Sequence, residues 1–286
     1  MTDLFEVKVL EGTNPRSGIG IDWVVKDVPA GSTGAGVSPG SNATDFDGIA
    51  GSYLTLGDYA GTYTVEAACG ECDSGSPQTF TATAKCPDVP RYYQTDYPDE
   101  PYDGICKDYE NLTPSGKPGI KECISSNDVP WTIAQKGCAL ASASMVLKRY
   151  NHMNPPDGLN YFLSDNYISG LGSIGYTING AVKWDAVNYI SQQQVKYRGD
   201  LSSYGNLRKG IIIDKSSMDE YLKRCIPVIV QVFNPDTKSG HWVVVTGKDG
   251  DDYLINDPAY PERTKLSSYG DIYATRVYES GEGGCR

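Results

Sequence analysis

Lys136–Leu147 reads KGCALASASMVL, and the reading of the whole chain works outward from it. Leu140, Ala143, Val146, Leu147 and Tyr150 recur at the spacing of one helix face. The Ala-rich, straight-chain composition favours a helix over about residues 138–150, stopping near Asn151 and before Pro155 and Pro156. Cys138 opens that helix. A thiol at a helix N-terminus faces unpaired backbone N–H groups and the positive end of the helix dipole, and both favour the thiolate.

A nucleophilic thiol needs a general base. The chain has only 2 His, His152 and His241, so a three-histidine metal site is excluded. His241 follows Gly240 and opens a β-branched run, HWVVVTG. His152 follows the predicted helix in RYNHMNPP and reads as a solvated loop residue. Downstream of the helix the period changes. Further helices are expected over 179–193 and 217–225. Strands are expected over Ile226–Phe233, His241–Gly247 and Tyr253–Asp257. Helices first and an antiparallel sheet afterwards is an α+β layout.

A carboxylate should orient the imidazole, and Asp257 ends the strand that follows His241. A hairpin turn centred on Asp249 sets His241 across from Asp257, with both side chains on one face. A centre between Asp249 and Gly250 separates the faces. The expectation is therefore the first register, or a bulge that restores it. The acidic turn Asp249–Asp252 lacks EF-hand spacing and reads as a plain turn.

Residues 1–87 read as all-β: short alternating runs such as Phe5–Leu10, Gly61–Ala67 and Thr79–Ala84 sit between Gly, Ser, Asp and Pro clusters. Residues 88–123 are rich in Pro, Tyr and Asp and should be loops. The two expected domains are thus 1–87 and 88–286. Net charge is −11, from 25 basic and 36 acidic residues, which argues against nucleic acid or an anionic membrane face as the main partner. No apolar run approaches the ~20 residues of a membrane span. There is no H-E-x-x-H pair and no phosphate-binding P-loop, so neither a metal nor another cofactor is expected. The first residues, MTDLFEVKVL, lack a signal-peptide pattern.

Two resemblances follow from these segments. Thr44–Ala67 (TDFDGIAGSYLTLGDYAGTYTVEA) with TFTATA is similar to the bacterial Ig-like domains of invasin- and intimin-type surface proteins. That implies a sandwich serving as a spacer or adhesive module, with a cell-surface or extracellular partner. GCALASASMVL, GHWVVVTG and YLINDPA, in that order, resemble papain-like cysteine peptidases of the bacteriocin-processing (double-glycine leader) type and their secreted relatives. This covers about residues 91–278.

The second resemblance implies Cys138 as nucleophile, His241 as general base and acid, and Asp257 as orienting carboxylate. It also implies an upstream Gln whose amide stabilises the oxyanion. Gln94, in YYQTDYPDEPYDG, is the first choice, with an insertion between Cys106 and Cys123; Gln135 is the alternative. The expected activity is a secreted peptidase acting on peptides or proteins. The alternatives are a cell-wall amidase or acyl transferase of the same fold, or a surface-binding protein with a degenerate site. A transporter-linked leader peptidase is disfavoured, since no transmembrane segment or nucleotide-binding motif follows.

There are 8 Cys, at positions 69, 72, 86, 106, 123, 138, 225 and 285. With Cys138 free, at most three disulfides form. Cys106–Cys123 would close the insertion, and Cys69–Cys72 a tight hairpin-tip loop. Cys86, Cys225 and Cys285 stay unassigned. This usage fits an oxidising, extracellular compartment and a mature chain or fragment lacking its leader.

Overall fold

The computed structural model describes residues 2–102, 131–152, 155–165, 175–177, 180–199 and 215–281. Cys106, Cys123 and Cys285 lie outside these residues, and so does the expected Cys106–Cys123 pair. The chain divides into two compact units. One ends at Pro87 and includes Lys223–Cys225; the other begins at Asp88.

The first unit holds nine strands: β1 (Thr2–Lys8), β2 (Leu10–Glu11), β3 (Asn14–Pro15), β4 (Gly20–Asp27), β5 (Gly36–Ser38), β6 (Ser41–Ala43), β7 (Ile49–Thr55), β8 (Gly61–Ala68) and β9 (Gln78–Ala84). They form an antiparallel sheet in the order β1-β7-β5 and another in the order β6-β4-β8-β9, with β2-β3 as a small ribbon. Alternation places Tyr63, Val65 and Ala67 of β8 inside, against Ala50 and Leu54 of β7. The two sheets thereby share one core. Full burial of a side chain such as Leu54 contributes about 2 kcal/mol. The buried Tyr63 hydroxyl donates to the Tyr59 carbonyl at 2.7 Å. Cys69 and Cys72 form a disulfide just past β8, and Cys86, left unassigned by the sequence, pairs with Cys225.

Among its described residues the second unit carries five helices: α1 (Ile133–Lys136), α2 (Cys138–Arg149), α3 (Pro156–Asp165), α4 (Ala186–Ile190) and α5 (Asp219–Lys223, whose last residue groups with the first unit). Its strands are β10 (Val195–Gly199), β11 (Val228–Asn234), β12 (Ser239–Asp249), β13 (Asp252–Asn256) and β14 (Ile272–Ser280), in one antiparallel sheet ordered β10-β14-β11-β12-β13. The sheet is apolar on both faces. Ile229 and Val244 join α2 and α3 in one core. Val228, Val230, Val232, Val243 and Val245 join Leu266, Tyr269 and Ile272 in another. Every residue from Ala139 to Leu147 in α2 is buried. No helix among the described residues is long and apolar enough to cross a membrane.

Three local expectations need correction. The helix expected over 179–193 is confined to Ala186–Ile190. Upstream of it, Gly180 takes φ 72° in a turn closed by the Tyr176–Val182 bridge, and Thr177 Oγ1 accepts the Ala181 N–H at 3.0 Å. The segment 217–225 begins as a 3-10 turn, Lys215–Met218, before α5. The β12–β13 turn is centred on neither expected position. Asp249 faces Asp252, so Gly250 and Asp251 form the loop, with Gly250 at φ 62°.

A bulge then intervenes. Gly247 pairs with Leu254 but Val245 pairs with Ile255, leaving Thr246 as the extra residue. An unbroken ladder would set Asp257 across from Val244. With the bulge, Val244 faces Asn256, and Asp257 follows on the side of Val243 and His241.

Candidate active site

Cys138 is the first residue of α2 and is half-buried. The preceding Gly137 has an ordinary φ of −82°, so it is not there for backbone freedom. A Cβ at 137 would lie 2.5 Å from the Ile133 carbonyl oxygen and 2.6 Å from Ile133 Cγ2. The short α1 therefore folds back tightly enough that only glycine can precede the thiol. Cys138 is the free thiol among the described cysteines.

His241 lies two residues into β12 and is 5% exposed. Its Nε2 is 2.9 Å from Asp257 Oδ1. Its ring also hydrogen-bonds the Cys138 side chain. Although His241 and Asp257 are diagonal rather than directly opposed neighbours, the two side chains span the gap. Burial works against charge on His241, but hydrogen bonds to Asp257 and Cys138 outweigh it and raise its pKa to about 9. Burial likewise pushes the Cys138 thiol up, and the hydrogen bond and charge of His241 reverse that to a net lowering. Asp257 is held below its usual range: its burial is outweighed by His241, Tyr269 and the Ala259 N–H. All three shifts favour the charged form of the group.

Asp257 is 2% exposed and saturated with donors. Oδ1 also accepts the N–H groups of Ala259 at 2.8 Å and Tyr260 at 3.0 Å. Oδ2 accepts the Tyr269 hydroxyl. The His241 ring lies between Tyr260, edge-on with centroids 5.9 Å apart, and Tyr269 at 5.7 Å. Neither tyrosine was marked by the sequence, because no spacing ties an aromatic residue beyond the strand to a carboxylate.

Gln94 opens a 3-10 turn, Gln94–Asp96, and is 6% exposed. Its Nε2 donates to the Ala134 carbonyl at 2.6 Å, four residues before Cys138. Its backbone N–H donates to the Pro258 carbonyl at 2.8 Å, next to Asp257. It is thus tied both to the approach to the thiol and to the segment of the carboxylate. Gln135 is exposed, and its Oε1 accepts the Thr132 N–H at 3.0 Å within a capping box at the start of α1. Asn256, also missed from sequence, anchors the segment leading to Gln94. Its Nδ2 donates to the Val89 carbonyl at 2.7 Å and its Oδ1 accepts from Arg91 Nε at 2.9 Å. His152 lies past α2, with its N–H on the Leu147 carbonyl at 2.9 Å. No group of three or more His, Cys, Asp or Glu among the described residues is arranged to hold a metal ion.

The model of the Peptidase_C39 like family matches residues 120–280, more than half of the chain and including Cys138, His241 and Asp257. The chain belongs to that family, which makes it a relative of cysteine peptidases. None of the curated proteins matches it. Among solved structures, the D00-D0 domain of intimin is 18% identical over 29% of this chain and 38% of that one, with a TM-score of 0.24. A C-terminal 282-residue intimin fragment, solved with the translocated intimin receptor's intimin-binding domain, is 22% identical over 29% of this chain and 26% of that one, with a TM-score of 0.23. The chain spans well under half the length of these structures.

Proposed function

We propose that this chain is a secreted cysteine peptidase of papain-like architecture, with α2 presenting the nucleophile and the antiparallel sheet presenting its partners. The observation that carries this reading is the hydrogen-bonded series Cys138–His241–Asp257 in a buried setting. The Cys138 thiolate attacks the peptide carbonyl carbon, and the His241 imidazolium then protonates the departing amine. Neutral His241 next draws a proton from water, which attacks the thioester and releases the acid, returning the thiol. Asp257 holds the imidazole orientation and stabilises its charged form.

Gln94 serves as an oxyanion donor together with the Cys138 backbone N–H. One Gln94 amide hydrogen is committed to Ala134, and the second is the one assigned to the oxyanion. Gln135 is engaged in its capping box, which favours Gln94. Two disulfides among the described residues support an oxidising, extracellular setting. The first unit is a β-sandwich assigned here as an Ig-like module that places the peptidase at a surface partner.

The test pairs a thiol-directed activity probe with digestion of a peptide library. Labelling of Cys138 and cleavage of peptides, both lost in Cys138→Ala with the fold retained, is the expected result. Labelling without cleavage of any peptide would overturn the peptidase assignment and leave an amidase or acyl transferase.

A further inference from the structure

We propose that Tyr269 is a positioning residue: its hydroxyl locks the Asp257 carboxylate in the rotation that presents Oδ1 to His241, and the Arg263 guanidinium fixes the Tyr269 ring. This rests on reading Cys138, His241 and Asp257 as the reacting set. Asp257 Oδ1 receives three donors: His241 Nε2 and the N–H groups of Ala259 and Tyr260. Oδ2 receives Tyr269 alone among the described residues. Three donors on one oxygen do not by themselves stop a carboxylate from turning; a donor on the other oxygen does.

Tyr269 comes from outside the strands that carry the pair. It follows the 3-10 turn Leu266–Ser268 and is 8% exposed, packed with Leu266 and Ile272. Phenylalanine would fill the same apolar space, so the hydroxyl itself needs a reason. A phenol buried against a carboxylate is favourable only as a donor. Burial and the Asp257 charge push its pKa well up, so the proton stays in place across the working range.

Arg263 holds the ring from the other side. Its guanidinium lies 4.0 Å from the Tyr260 ring centroid and 5.0 Å from that of Tyr269, and its Nη2 pairs with Asp236 in the β11–β12 turn. Tyr260 in turn accepts a hydrogen bond from Asn234 Nδ2 at 3.0 Å, and Asn234 is 2% exposed. The ionisable groups around the pair are therefore Cys138 from α2, Asp257, Tyr260, Arg263 and Tyr269 from the segment after β13, and Asp236 beyond them. Tyr102 feels the Cys138 charge but donates its hydroxyl to the Gly180 carbonyl.

The experiment is the pH dependence of Cys138 alkylation by iodoacetamide, which needs no substrate. It compares wild type, Tyr269→Phe, Asp257→Asn and the double variant, with Cys138→Ser as the blank for other thiols. Near-ultraviolet circular dichroism monitors the fold. In Tyr269→Phe the midpoint of thiolate formation should rise by about one pH unit, because a looser Asp257 anchors the imidazolium less well. The double variant should coincide with Asp257→Asn alone, since Tyr269 acts through that carboxylate. Arg263→Met, which keeps the hydroxyl, should give a smaller shift in the same direction and serves if Tyr269→Phe does not fold. Superimposable wild-type and Tyr269→Phe profiles, or a further shift in the double variant, would overturn the proposal. A shifted profile in a protein that cleaves no peptide would refute the peptidase reading but leave the positioning role standing. Peptide cleavage with an unshifted profile would do the reverse.

Discussion

Val244 pairs with Asn256 rather than with Asp257, and this single-residue offset puts Asp257 on the side of β12 that carries His241. The offset is produced by the bulge at Thr246. Deleting Thr246 removes the unpaired residue and leaves Gly247–Leu254, Val245–Ile255 and Val244–Asn256 as a continuous ladder, so Asp257 stays on the face of His241. We expect the deletion variant to keep its hairpin, its peptide cleavage and the lowered midpoint of thiolate formation at Cys138. Thr246→Val, which keeps the residue count, should behave as wild type. Loss of cleavage with a raised alkylation midpoint in the folded deletion variant would refute the Val245–Ile255 register as what makes the pair.

The pH dependence follows from two opposite shifts. Activity needs the thiolate and the imidazolium together. It should fall on the acid side through the lowered pKa of Cys138 and on the alkaline side near 9, where His241 loses its proton. Stability follows from linkage. The folded pKa of His241 is raised from 6.5 to about 9, so its contribution is complete below 6.5 and is lost as pH rises through the folded value. Urea unfolding should show a stability gap between wild type and His241→Asn that is widest at about pH 6 and closes by about pH 10. A gap that widens with pH over this range would contradict the charged-imidazole assignment.

Gln94 and Gln135 should separate cleanly in kinetics. Loss of an oxyanion donor lowers kcat by about a hundredfold or more. Gln94→Ala should show that loss with KM little changed. Gln135→Ala should cost about 1 kcal/mol of stability through the capping box at α1 and leave kcat near wild type. A large kcat loss in Gln135→Ala with a small one in Gln94→Ala would exchange their roles.

Gly137 should tolerate no side chain. The Cβ of Gly137→Ala meets the Ile133 carbonyl oxygen, and backbone cannot move aside as a flexible side chain can. Overpacking of this kind costs about 1–3 kcal/mol. The measurable outcome is a lower urea midpoint together with slower alkylation of Cys138, because α1 and the start of α2 must separate. An unchanged midpoint would show that α1 shifts freely.

The helix beginning at Cys138 and the strands of His241 and Asp257 were legible because each is a strong local pattern. Leu140, Ala143 and Val146 repeat at helical spacing, and the Val-rich runs carry β-branched side chains. The turn position was not legible. Asp249-Gly250-Asp251-Asp252 offers several similar turns, and the local sequence does not choose among them. The helix expected over 179–193 shortened because Gly180 and Thr177 close a turn that a helical pattern does not reveal. The pairing of Cys86 with Cys225 was equally hidden, since spacing along the chain says nothing about proximity across 139 residues.

The sequence by itself determined which groups were available: one thiol at a helix start, two imidazoles, and a carboxylate after a β-branched strand. Local periodicity and residue chemistry are properties of neighbouring residues, so they can be read along the chain. Only the tertiary structure decided that Thr246 bulges, that Gln94 rather than Gln135 is buried between Ala134 and Pro258, and that Tyr269 closes over Asp257. Each of those is a contact between segments far apart in sequence. Such contacts are selected by the need to satisfy buried polar groups, and that need exists only once the chain has enclosed them.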